Sequence, residues 1–354
     1  MPAHHFPKLI TALIAFITTL IIASFSNAST LSYSITELPA GINPNSINNL
    51  GHIVGTIQIP SSKPDEYIFH AVLYKDGKTI DLGTLGGENS IAGDINDSDL
   101  IVGRSDTKNR QSHAFFYGKG KMNDLGTLPK YTASSDAFGV NNAGQIVGNS
   151  SRRNHSFDSH AFIYAKGKMT DIGTLGGEIS FVGGINDAGQ VVGGAQMKNG
   201  YDSVFLYKNG KMTNLGAPPP PRGQITGGIY INNSGIVIAG LGDRYGTGYI
   251  YENRKWTEVG KLPNSLRNST VEAINSSGAI VGAGFVTTSK DKYARHAYVR
   301  SNGKSKDLNN LISKKSGWVL EEAKDINDKR LIIGRGKHNG KDSTYLLTPN
   351  SEKK

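Results

Sequence analysis

Four histidines stand in the same local setting: His70-Ala71-Val72, His113-Ala114-Phe115, His160-Ala161-Phe162 and His296-Ala297-Tyr298. Imidazoles could gather around a metal, but no two of these lie at the close spacing of a zinc site. A position repeated in successive units directs its side chains apart, so each His is expected to hydrogen-bond a neighbouring turn or strand. No metal is expected at the Ile-Asn-x-x-Gly turns either. A calcium loop needs several carboxylates at alternating positions, whereas Asn186-Asp187-Ala188-Gly189 offers one and Asn275-Ser276-Ser277-Gly278 none. Asn and Asp bonding their own backbone account for those residues.

The carboxylates are more suggestive. Asp94 and Asp325 each stand two residues before a recurring Asn, and Glu272 and Lys324 stand three before it. Two acids facing one channel are the minimum for glycoside hydrolysis. Asp94, Glu272 and Asp325 are thus the candidate set for a glycan-directed hydrolase or lyase. The competing and preferred reading is of solvated acids near the mouth of a wet channel. The chain has no Cys, no G-x-S-x-G motif and no Gly-rich phosphate loop, and no cofactor is implied.

What positions these residues is a repeat. Ile or Val, then Asn, recurs seven times ahead of an apolar pair that usually ends in Gly, as in Ile95-Asn96 and Ile101-Val102-Gly103. The Asn positions 48, 96, 141, 186, 232, 275 and 327 are separated by 48, 45, 45, 46, 43 and 52 residues. Each unit reads as four short strands, a to d. The fourth gives a at 181–186, b at 191–195, c at 203–207 and d at 212–215, with the hairpin Lys208-Asn209-Gly210-Lys211 between c and d. Four strands in about 45 residues is the content of one propeller blade. The last unit stops after strand c, while Leu31 to Leu38 resembles an orphan strand d. The expected fold is therefore an all-β, seven-bladed propeller over 29–349, its ring closed by an N-terminal strand joining the C-terminal blade.

The His-Ala-Phe triplets, with Asp-Leu-Gly-Thr-Leu-Gly-Gly at 81–87 and Asp-Ile-Gly-Thr-Leu-Gly-Gly at 171–177, resemble the HAF repeat of bacterial exported proteins. The resemblance departs in the fifth unit, at Gly248-Tyr249-Ile250, and in the seventh, at Ser343-Thr344-Tyr345. It implies an extracellular or envelope location and no known activity. The N-terminus agrees: an apolar run from Leu9 to Ala23 followed by Ser26-Asn27-Ala28 reads as a signal peptide over 1–28. After cleavage no transmembrane segment is expected, and residues 350–354 read as a disordered tail.

The chain carries a formal net charge of +10. The loops between strands b and c change in length and content from unit to unit, and loops on a rigid scaffold carry binding diversity. They hold 14 Lys or Arg against 8 acids, interspersed with aromatics. Arg152, Arg153, Tyr201, Arg244, Tyr245, Lys292, Tyr293 and Arg295 are the candidate ligand-binding residues. The expected protein is a monomeric binding or scaffold module for a glycan, an anionic polymer or an envelope protein; a purely structural envelope role is the other possibility. No nucleic-acid recognition motif is present.

Overall fold

The computed structural model describes residues 31–61, 67–152, 158–219, 228–240, 246–265, 267–289 and 292–351. The signal-peptide reading, with Arg153, Arg244 and Tyr245, lies outside them, and of Lys292 only the backbone is described. Leu31–Ser351 forms one compact unit. Among the described residues no helix is long and apolar enough to cross a membrane.

The chain opens with β1 (Tyr33–Glu37). Blade 1 follows as β2 (Ile42–Ile47), β3 (Ile53–Ile59), β4 (Ile68–Lys75) and β5 (Lys78–Asp81). Blade 2 is β6 (Gly86–Ile95), β7 (Ile101–Thr107), β8 (Ser112–Gly118) and β9 (Lys121–Gly126). Blade 3 is β10 (Ser134–Val140), β11 (Ile146–Ser151), β12 (Ser159–Ala165) and β13 (Lys168–Asp171). Blade 4 is β14 (Gly176–Ile185), β15 (Val191–Met197), β16 (Asp202–Lys208) and β17 (Lys211–Gly216). Blade 5 is β18 (Ile229–Ile231), β19 (Val237–Gly240), β20 (Gly248–Glu252) and β21 (Lys255–Glu258). Blade 6 is β22 (Ala273–Ile274), β23 (Ile280–Ser289), β24 (Lys292–Ser301) and β25 (Lys304–Asp307), followed by a single 3-10 turn at Leu308–Asn310. The last strands are β26 (Trp318–Ile326), β27 (Ile332–His338) and β28 (Lys341–Pro349).

Every sheet has four strands, all antiparallel, in the order a-b-c-d. The seventh is β26-β27-β28 completed by β1, whose Tyr33 pairs with Pro349 and Glu37 with Tyr345. The first and last strands thus close the ring, as expected. Asn350, placed by the sequence in the tail, is drawn into the closure, donating its backbone N–H to the Ser32 carbonyl at 2.9 Å, while 352–354 of that tail lie outside the described residues.

The core lies between blades. Seven apolar clusters fill the seven interfaces; Val54, Ala71 and Leu73 of blade 1, for example, meet Ala92, Ile101 and Phe115 of blade 2. No blade buries its own faces alone, which is why the repeat has to circle back on itself. Within a blade the Gly after the apolar pair is required by close approach. A Cβ on Gly103 would sit 1.9 Å from the Ile91 carbonyl oxygen, and one on Gly148 would sit 2.1 Å from that of Asp136 and 2.5 Å from the Phe162 ring. Strand a crowds this position where it bulges, at Asn45, Gly93, Phe138, Gly183 and Lys324. In blade 5 the a–b ladder runs without a shift, and there Ala239 replaces Gly.

The recurring Asn does more than shape its own turn. Its side-chain oxygen accepts locally, as Asn48 Oδ1 does from the N–H of Leu50 and His52. Its amide also donates to the next blade: Asn48 to the Asn96 carbonyl, Asn96 to Asn141, and so on until Asn327 donates to Asn48. Seven buried bonds of 2.8 to 3.1 Å form an unbroken circle. The residues that follow form a second belt: Asn49, Asp97, Asn142, Asp187, Asn233, Ser276 and Asp328. Six of their backbone N–H groups are taken by the next side chain, as Asn49 N donates to Asp97 Oδ1 and Asp328 N to Asn49 Oδ1.

Candidate functional site: an axial channel opening into a surface groove

The position three before each recurring Asn, which is the bulge in five of the blades, aims its side chain toward the axis where it has one. Asn45, Phe138, Glu272 and Lys324 arrive in the channel this way, joined from the following position by Ser46, Asp94, Tyr230 and Asp325. The cavity they line measures about 620 Å³. At one end it reaches the Asn/Asp belt of the a–b turns. At the other it shares Ile91, Arg104, Asp136 and Phe138 with a groove of about 590 Å³ on the face that carries the b–c loops.

The channel does bring Asp94, Glu272 and Asp325 together, but their atoms are already engaged. Asp94 Oδ1 accepts from the Ser46 hydroxyl at 2.8 Å and from its neighbour Ile95 N at 2.9 Å, while Oδ2 accepts from Val140 N of the next blade at 2.9 Å. Asp325 does the same across the closure, accepting from Ile47 N at 2.9 Å and Ile326 N at 2.7 Å. Burial raises the Asp94 carboxyl and pushes Asp325 up to about 6, the Asp94 charge adding to the latter and the backbone donors opposing it. Both acids staple one blade to the next.

Glu272 belongs to a charged network between blades 6 and 7. Lys324 Nζ lies 3.5 Å from Glu272 and 3.3 Å from Glu322, and Glu322 also receives Arg295 at 3.0 Å and Arg335. Burial works to raise the Glu322 carboxyl, but Lys324, Arg295 and Arg335 outweigh it and hold it below the usual range. Glu272 is raised by burial against the pull of Lys324. Arg295 therefore serves this network and is not a free loop cation.

The other candidates scatter around the b–c face. Arg152 donates to the Tyr131 hydroxyl at 2.9 Å and covers its ring at 4.7 Å. Tyr131 in turn stacks on His160, with 4.3 Å between centroids. Tyr201 and Tyr293 stand 53% and 42% exposed, far apart in blades 4 and 6, and Arg267 lies 5.2 Å over Tyr293. None of these three residues lines the groove.

The groove draws on the b–c loops of blades 1 to 3 for Phe69, Arg104, Asp106, Arg110 and Asn149, and on strand a for Asn89, Asp136 and Phe138, which the sequence reading passed over. Phe69 and Phe138 are 40% and 44% exposed in it. Asn89 braces the first, accepting from Phe69 N at 3.0 Å while donating to Asp106 Oδ2 at 3.1 Å. Asp136 sits where groove and channel meet, 3.2 Å from Arg104 Nη1; burial pushes its carboxyl up to about 6 despite that cation. Arg104 and Arg110 balance Asp106 and Asp136, and Asn149 and a row of serines supply the remaining polar lining. Phe138 carried a readable signal: it occupies a bulge position that is Gly93 and Gly183 in neighbouring blades.

Each triplet His meets the Asp of strand d eleven residues on: His70 with Asp81 at 2.8 Å, His113 with Asp124 at 3.0 Å, and His160 with Asp171 and His296 with Asp307 at 2.7 Å. In blade 4 the pair becomes Ser203 with Asn214 at 2.6 Å, and across the closure Ser343 with Glu37. Blade 5 corrects the alignment read from the sequence. Its ladder pairs Tyr249 with Glu258 as Phe115 pairs with Asp124, so the triplet there is Thr247-Gly248-Tyr249. The Asn253-Arg254 hairpin, with both residues at positive φ, fixes that register. Among the described residues no group of three His, Asp or Glu is placed to hold a metal ion.

Fold and channel define a seven-bladed β-propeller. No family model matches the chain, and no curated protein matches it in sequence. Solved structures share the fold. An oligogalacturonate lyase from Vibrio parahaemolyticus aligns with a TM-score of 0.54 at 10% identity, over 92% of this chain and 98% of its own. YCF48 from Cyanidioschyzon merolae gives 0.52 at 9% identity, over 90% and 99%. An oligogalacturonate lyase in complex with manganese gives 0.51 at 12%, over 91% and 97%.

Proposed function

We propose that the protein is an exported binding module that holds a neutral glycan in the groove of the b–c loop face. The observation that carries this reading is the pairing of Phe69 and Phe138, both exposed, within a polar cavity of about 590 Å³. Apolar ring faces stack on the C–H faces of sugars, and a few fixed polar groups set orientation. Asn89, held on both sides, is such a group. The balance of two Arg against two Asp favours an uncharged ligand over an anionic polymer. Export is supported by the apolar run at 9–23 and by the HAF-repeat resemblance.

A lyase acting on an acidic sugar oligomer, as the name of two structural neighbours describes, is less well supported. Asp94 and Asp325 already bind backbone N–H groups of the next blade. The test is a glycan array probed with residues 29–354, then with Phe69→Ala/Phe138→Ala. Loss of about tenfold or more in affinity is the expected outcome for the double variant, since each truncation removes an exposed stacking face. Undiminished binding would overturn the assignment of the groove. Turnover of a bound oligosaccharide, abolished by Asp94→Asn or Asp325→Asn without loss of folding, would instead revive the enzymatic reading.

A further inference from the structure

The face opposite the groove carries a ring of hairpins in which cations far outnumber acids. In blades 1 to 6, strands c and d are joined by four-residue hairpins: 75–78, 118–121, 165–168, 208–211, 252–255 and 301–304. All six turn through two consecutive residues at positive φ, from Asp76-Gly77 to Asn302-Gly303. All six then open strand d with an exposed Lys, from Lys78 to Lys304. Together these hairpins hold eleven Lys or Arg against two acids, Asp76 and Glu252. Only Lys75 among the eleven is held in an ion pair with a described residue, at 2.7 Å from Asp99. Asp99 belongs to the a–b turn of blade 2, so the hairpins share a face with those turns.

That face also holds acids, closer to the axis. Asp97, Asp187 and Asp328 are tied to the amides of Asn49, Asn142 and Asn233 or to Ser276. Asp99 is taken by Lys75 and His52, while Lys329 and Arg330 add two cations to the blade 7 turn. The outer rim therefore remains strongly positive. Equal hairpins on a pseudo-sevenfold ring lie at one height, whereas the b–c loops differ in length. A linear polyanion would reach a few neighbouring hairpins at a time, but a flat anionic surface meets all six together. The seventh position is also informative. Blade 7 has no hairpin there; Tyr33 pairs with Pro349, so the chain enters the ring at this rim.

We propose that the c–d hairpin face docks on an anionic lipid surface, leaving the groove turned outward. Each Lys held near such a surface adds to binding, and the sum falls as salt screens it. The test is flotation of residues 29–354, which contain the whole closed ring and exclude the apolar run, with vesicles of phosphatidylcholine alone or mixed with phosphatidylglycerol. Binding is expected only to the mixed vesicles. The Lys121→Glu/Lys168→Glu/Lys211→Glu variant is expected to lose at least about tenfold. The control Lys108→Glu/Lys198→Glu/Lys341→Glu, of equal charge on the opposite face, is expected to keep parental binding. Melting temperatures check that both variants fold. Equal losses in the two variants, or no binding to the mixed vesicles, would overturn the proposal. So would capture of soluble dextran sulfate by the hairpin face without any binding to vesicles, which would assign the ring to a linear polyanion.

Discussion

At the scale of single residues, Asp136 is where groove meets channel and where pH should be felt. Its carboxyl is pushed by burial from 3.8 to about 6, with Arg104 opposing. A carboxyl raised on folding is protonated more readily in the native state, so the native protein holds the extra proton between those values. Its contribution to stability is present below the lower value and is lost as pH rises through the upper one. Asp136→Asn removes that loss. Relative to wild type the variant should gain stability between about pH 4 and pH 7, by at most on the order of 3 kcal/mol, as urea unfolding would measure. A wild-type-to-variant difference that does not change with pH would mean that the Arg104 contact compensates fully. The triplet pairs show a related economy. His with Asp, Ser with Asn and Ser343 with Glu37 all bridge strand c to strand d, so the shared bridge, more than the imidazole, is what the position requires.

At the scale of strands, the bulge in strand a and the Gly facing it act as one unit. Gly103→Ala places a Cβ against the Ile91 carbonyl, backbone that cannot move without breaking the blade. A loss of about 3 kcal/mol or more, or failure to fold, is expected from overpacking and strain. Ala239→Gly in the unbulged blade 5 should cost no more than about 1 kcal/mol; comparing the two melting curves checks the argument. This unit also marks how far the sequence could be read. The apolar pair and its Gly announce a strand next to a crowded neighbour, and the Asn-Gly hairpins announce its partners, so seven blades and their closure were legible. The Asn circle was not, because the carbonyl each amide reaches belongs to a residue some 45 positions away and exists only once the ring has closed. The groove was missed for a different reason. Attention to variable loops took in Phe69 but overlooked Asn89, Asp136 and Phe138, which lie in strand a of blades 2 and 3 and meet Phe69 only across blades.

At the scale of the whole molecule, an odd number of blades sets a problem that the belt solves. Donors Asn49, Asn142 and Asn233 alternate with acceptors Asp97, Asp187 and Asp328, but alternation cannot close over seven places. Ser276 fills the odd place: its hydroxyl receives the Asn233 amide at 3.4 Å and donates to Asp328 Oδ2 at 2.9 Å. Ser276→Asp sets two carboxylates side by side and should cost about 1 kcal/mol, relieved at acid pH; thermal melts at neutral and acid pH would show it. A larger loss is expected from the closure. Deleting residues 29–40 removes β1 with Tyr33 and Leu38, which are buried in the interfaces of blade 7 with blades 6 and 1. The truncated protein should melt well below the parent, and an unchanged melt would show that the ring does not need this strand.

The same closure decides how the disc responds to force. Tyr33 and Pro349 are partners, so the chain enters β1 and leaves β28 side by side, at the same end of one sheet. Tension applied to the two ends pulls β1 away from β28 one rung at a time, like opening a zip, and never loads the ladder in shear. Mechanically the ring yields first at its own seam, and the next sheet is reached only after the seam has parted.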